Sequence, residues 1–144
     1  MCIYAKMNGF SSVVEPYDLA IGNWVYPSDR IEVPMMIESL QPGLVGLFND
    51  EVGEDECSYS EIRGIPLTGE LLSMLGFTFK DGLWKHSLGI KIKVGTGFVN
   101  IENKDKDHWL YGTCNCKDIW YVHQLQNLVR IIIKKELTIN WQYD

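Results

Sequence analysis

The sequence predicts an α+β fold, and three observations carry that prediction. Apolar and polar residues alternate along several short runs in both halves of the chain. The segment from Leu67 to Phe77 holds a helix start and a helix stop within one apolar stretch. The segment from Ile119 to Ile133 sets apolar side chains at helical spacing around most of its surface. The expected order is an N-terminal antiparallel β unit, a short helix, an antiparallel β meander, a C-terminal apolar helix and a final strand. The 144 residues suit a single domain. Within it, 1–17 reads as an arm, 18–65 as a β-rich subregion and 66–144 as an α+β subregion.

Residues 1–17 show no period and end near Pro16. The first strand signal is Ile21-Gly22-Asn23-Trp24-Val25-Tyr26, stopped by Pro27-Ser28-Asp29. Ile31, Val33, Met35 and Ile37 then alternate with Glu32, Pro34, Met36 and Glu38, the pattern of a strand with one buried face. Pro34 has no N–H to donate, which places this strand at an edge or puts a bulge there. Pro42 and Gly43 occupy the central positions of a type II turn, so Leu44–Phe48 pairs back as a hairpin. The five carboxylates between Asp50 and Glu56 read as a solvated loop.

Thr68 is a fitting N-cap for the first helix, and Glu70 complements the dipole in its first turn. Leu67 and Leu72 stand at the spacing of a hydrophobic staple. Gly76 suits the left-handed residue that closes a helix, with Phe77 folding back on the last turn. Phe77 and Phe79 alternate before an Asp81-Gly82 turn and Trp84. Leu88, Ile90, Ile92 and Val94 alternate with Gly89, Lys91 and Lys93; a Gly95-Thr96-Gly97 turn then leads back through Phe98–Ile101. A charged loop covers 103–107, and Trp109-Leu110-Tyr111 forms a short strand. Asp118 is placed to cap the second helix, 119–133, whose stripe is Val122, Leu125, Val129 and Ile132. Leu137, Ile139 and Trp141 alternate as a last strand.

Composition limits function. Hydrophobic residues are 46% and charged residues 22%, which excludes a disordered chain. The net charge of −6 is uneven: residues 1–65 hold 3 basic and 11 acidic side chains, and residues 66–144 hold 10 and 8. The acidic half repels phosphate backbones, which disfavours broad nucleic-acid binding there. No apolar run reaches the roughly 18 residues of a membrane span, and the first residues lack the pattern of a secretory signal. The expected location is therefore cytoplasmic, with Cys2, Cys57, Cys114 and Cys116 reduced.

Tyr121-Val122-His123-Gln124-Leu125-Gln126-Asn127-Leu128 is distinctive. Together with Asp18–Val25 and the stretch Ile65–Phe77, it resembles a family of short uncharacterised proteins from gut anaerobic bacteria, their phages and other mobile elements. The likeness covers most of 18–139 and implies a bacterial or phage, cytosolic setting without a known activity. Relatives carry a Thr-Gly step after the second helix, where this chain has Ile133-Lys134. Ile21–Val25 also looks like the first strand of small SH3-like barrels.

Four groups of residues bear chemistry. His108, Cys114, Cys116 and His123, spaced H-x5-C-x-C-x6-H, supply the donor types of a zinc site. The opposing reading sets both cysteines on one strand face and makes His123 a hydrogen-bonded helix residue. A thiol of Cys114 or Cys116 with His108 or His123 as base would make a nucleophile, though no orienting third group is evident. Lys91 and Lys93, with Lys80, Lys85, Lys104 and Lys106 near in sequence, could meet phosphates, with Trp84, Phe98 and Trp109 as stacking platforms. The apolar helix offers Tyr121, Leu125, Leu128 and Ile132 as an interface. No phosphate-loop, dinucleotide, calcium-loop or hydrolase motif occurs. The expected function is a non-catalytic interaction or accessory protein of a phage or mobile element, self-associating or bound to another protein. A nucleic-acid-binding small barrel is the alternative, and a zinc-dependent protein comes third.

Overall fold

The structure is a computed structural model that describes residues 14–107 and 112–141. It is α+β, with two antiparallel sheets and a helix near the C-terminus. The chain divides into two compact units: the described residues up to Pro66 with Tyr121–Gln124, and Leu67–Trp120 with Leu125 onward.

In the first unit a 3-10 turn at Pro16–Asp18 precedes four strands: β1 (Trp24–Val25), β2 (Met35–Gln41), β3 (Leu44–Asn49) and β4 (Gly53–Cys57). They pair in sequence order as an antiparallel meander. Met35, Ile37, Val45, Leu47 and Cys57 alternate inward and bury a cluster with Val14, Leu19, Val25 and Ile62. The Pro42-Gly43 turn closes β2 onto β3 with Gln41 opposite Leu44, as its residues predict.

Two expectations need correction here. The strand expected over 31–37 begins only at Met35, and it lies between β1 and β3 instead of at an edge. Pro34 ends the preceding irregular segment, and its carbonyl accepts a bond of 2.6 Å from Asn49 Nδ2. The irregularity in the ladder falls between Ile37 and Ser39. The acidic run is not a loop throughout: after a turn at Asp50–Val52, Glu54, Asp55 and Glu56 form an edge strand on β3.

The second unit opens with α1 (Gly69–Met74). Thr68 Oγ1 accepts from Leu71 N at 3.2 Å, which caps it. At its end Gly76 has φ +90°, and Phe77 N donates to Leu72 O at 2.9 Å, the closure that the Gly-Phe pair predicts. Five strands follow: β5 (Thr78–Lys80), β6 (Leu83–His86), β7 (Ile90–Ile92), β8 (Val99–Asn103) and β9 (Gly112–Cys116), again paired in sequence order. Asp81 and Gly82 both have positive φ (56° and 79°), the tight hairpin turn between β5 and β6. The helix α2 spans Val122–Ile132. Its first three residues group with the first unit and the remainder with the second. Leu125, Val129 and Ile132 meet Leu72, Leu75, Ile90, Ile92, Val99 and Ile101 in the second core.

The second helix begins three residues later than expected. Asp118 takes a left-handed backbone (φ +64°) and does not cap it. Instead Gln124 Oε1 reaches back to Tyr121 N at 3.1 Å, the glutamine half of a capping box. At the other end Asn103 Nδ2 donates to Ile132 O at 2.9 Å, and Lys134 supplies the left-handed residue with φ +59°. Leu137 is buried, but residues 137–141 join no ladder among the described residues, so the expected last strand is an irregular tail. Its Asn140 N donates to Met74 O at 2.8 Å. The strand expected at Trp109–Tyr111 lies outside the described residues. No described helix is long and apolar enough to cross a membrane.

Candidate functional site

The pairings of the second sheet sort its side chains into two faces. Phe79, Trp84, Ile92, Val99 and Cys116 stand opposite one another across five strands, on the face that carries the core. Thr78, Lys85, Lys91, Asn100 and Asn115 form the adjacent row on the other face.

At the β5 end the core-facing row runs out of cover. Phe79 is 61% exposed, on a strand whose three residues are all exposed. Its ring lies 5.3 Å from that of Trp84, tilted by 56°. Trp84 is half-buried and forms a wall of a cleft of about 360 Å³, lined further by Gly69, Glu70, Ser73, Met74 and Asn140. A Cβ on Gly69 would stand 3.0 Å from Trp84 Cζ2, so the indole lies close against the start of α1 and a side chain there would press on it. The sheet ends at β5, whose outer edge has no strand partner among the described residues. An exposed Phe79 against a half-buried Trp84, a cleft and a short open edge thus occur together.

The opposite face is basic and polar. Lys85 stands directly across from Lys91. Asn100 Nδ2 donates to Asn115 Oδ1 at 2.7 Å further along the same row. Asp81 approaches Lys85 at 4.0 Å, an exposed pair of small worth. Phe98, 57% exposed, precedes β8. Trp84 lies on the other face from Lys91, so these lysines have no stacking platform in it. Lys104 and Lys106 border a separate shallow cleft of about 320 Å³ with Glu102, Asn103, Gly112 and Thr113.

Cys114 and Cys116 share one face of β9 and pack against the second core. Burial, then the neighbouring Cys114, pushes the Cys116 thiol up, which keeps it protonated and a poor nucleophile. Cys57 is buried in the first unit, and burial with Glu61 and Asp55 pushes its thiol up to about 11. His123 belongs to the first unit and is buried, with its ring stacked on Tyr121 at 5.9 Å. Among the described residues its Nδ1 has no hydrogen-bond partner. His108 lies outside the described residues. Among the described residues no three His, Cys, Asp or Glu side chains gather as metal ligands would.

Of the interface residues expected on the second helix, Tyr121, Leu125 and Ile132 are buried and Leu128 is half-buried. Their apolar area faces the interior. Sequence reasoning did not assemble the cleft, because its residues come from 69–74, 84 and 140 and only chain folding brings them together. The one local signal was Phe79 beside Trp84 in a two-residue hairpin, which places them opposite each other. Comparison with known proteins finds no matching family model, curated protein or solved structure.

Proposed function

We propose that this is a non-catalytic interaction protein whose contact surface is the β5 end of the second sheet. The observation that carries the reading is Phe79, 61% exposed on an edge strand and paired with Trp84 at the rim of a cleft. Single exposed apolar side chains are ordinary on protein surfaces. A large aromatic beside an open backbone edge is the arrangement that recognises an extended peptide by strand addition. The edge supplies main-chain hydrogen bonds, and the ring pair supplies apolar area. The setting we propose is the bacterial cytoplasm, in an accessory role to a phage or mobile element, as the resemblance of 121–128 implies.

The test is panning of a random peptide display library on the wild-type protein and on Phe79→Asp, with the fold of the variant checked by its amide spectrum. Peptides retained by the wild type and lost by the variant are expected. Equal retention by both proteins would end the reading.

A second reading rests on Lys85 opposite Lys91. Like charges across a strand pair are destabilising, and a polyanion on that face would remove the repulsion. With Phe98 exposed nearby in sequence, the face suits a single-stranded nucleic acid. A gel shift with an oligonucleotide, lost in Lys85→Glu/Lys91→Glu, supports it; no shift at low salt removes it.

A further inference from the structure

We infer that the cleft beside Trp84 receives a basic side chain, lysine or arginine, from the bound polypeptide; this rests on the interaction reading above. The argument is the chemistry of the lining. Glu70 is the single charged residue among the six, and it is exposed at the start of α1. Ser73 and Asn140 add oxygens that can accept hydrogen bonds. Among the described lining residues no side chain is a cation. Trp84 lines the cleft, and an ammonium or guanidinium is attracted to an aromatic ring of this kind. Met74 gives a soft apolar surface for the methylene stem that such side chains lay against proteins.

Size and position agree. At about 360 Å³ the cleft lies at the small end of ligand sites, enough for one long side chain and too small for a folded partner's surface. The nearest basic strand residues by register, Lys80 and Lys85, belong to the opposite face of the sheet. Phe79, tilted against Trp84, extends the apolar wall toward β5. A segment lying along that edge directs alternate side chains to the core-facing side, where the cleft opens. The anionic occupants that suit the lysine face are disfavoured here by Glu70.

The experiment is amide and indole NMR of the full chain titrated with capped lysine amide, with capped 6-hydroxynorleucine amide, its neutral isostere, as control. The indole signal of Trp84 is assigned from Trp84→Phe. Capped lysine is expected to shift the Trp84 indole and the Glu70 and Ser73 amides, with weak, salt-sensitive affinity. The neutral isostere should leave them in place. Glu70→Gln should weaken the response severalfold while the rest of the spectrum stays unchanged. Equal shifts from the charged and neutral compounds, or a response unchanged by Glu70→Gln, would overturn the inference. So would no response at all. Its failure is separable from that of the broader reading: peptides retained through Phe79 but without enriched lysine or arginine keep the contact surface and reject the cation recess.

Discussion

Two side chains are held in states that their surroundings make costly. His123 is 1% exposed, and burial alone pulls its imidazole down to about 4. The fold therefore holds it neutral, whereas the unfolded chain takes up a proton near pH 6.5. Below that pH the unfolded state binds more protons, so stability falls as pH drops and levels off near pH 4. The full effect is on the order of 3 kcal/mol. His86, also depressed by burial, acts in the same direction. Denaturant unfolding in steps from pH 7 to 4.5 should show the loss, and His123→Leu should remove the greater part of the slope. An unchanged slope in that variant would mean that other groups control acid stability. Lys134 is the second case. Its φ of +59° is the conformation that glycine adopts freely and that a side chain makes unfavourable by about 1 kcal/mol. The bidentate bond from Arg130 to Glu136, at 2.8 and 3.0 Å, spans this turn and helps hold it. Lys134→Gly is expected to raise the melting temperature by roughly 3 °C, against a small loss of helix-dipole complementarity. A lower melting temperature would show that the lysine makes a stabilising contact beyond its backbone.

At the level of elements, legibility followed how local the determinants were. The helix at Gly69–Met74 was readable because Thr68, Gly76 and Phe77 act within a few residues of it. The same is true of the Pro42-Gly43 and Asp81-Gly82 hairpins. The strand Gly53–Cys57 was not, because three consecutive carboxylates have the composition of a loop and only pairing with Leu44–Asn49 makes them extended. The helix start at Val122 was missed because Asp118 is a good cap by type, while Tyr121 is held by a bridge to Pro66, far away in sequence. The charge on β4 has a physical use: among the described residues it sits at the end of the first sheet, where an open ladder invites pairing with other chains. Glu54→Thr/Glu56→Thr keeps strand propensity and removes two exposed charges from that edge. Concentration-dependent self-association is the expected result by sedimentation velocity. A monomer at all concentrations would show that edge charge is not what keeps β4 unpaired.

At the scale of the whole molecule, the sequence made the α+β class and the separation of charge visible, but not the faces. Register decides faces: a lysine at 91 and a tryptophan at 84 look like neighbours in a basic, aromatic run, yet the ladder sends them to opposite sides of one sheet. Among the described residues, register leaves Lys80, Lys85 and Lys91 on the lysine face, with Lys93 and the exposed ring of Phe98 adjoining its strands in sequence. These act within a protein of net charge −6, so the field of the whole molecule opposes an approaching polyanion while the local patch attracts it. The two contributions respond differently to salt. Local contacts release counterions, and at most four phosphate contacts to a single strand give a logarithmic slope no steeper than about −3. Repulsion from the distributed negative charge is screened beyond roughly 10 Å at 0.1 M salt, which makes the observed slope shallower at the low end of the range. Fluorescence anisotropy with a labelled oligonucleotide across a salt series should therefore give a curved plot, steepening toward about −3. Lys85→Glu/Lys91→Glu should abolish binding throughout, and Phe79→Asp should leave it unchanged. If Phe79→Asp weakened oligonucleotide binding as well, the two faces would not be separate sites, and the assignment of peptide to one and polyanion to the other would fall.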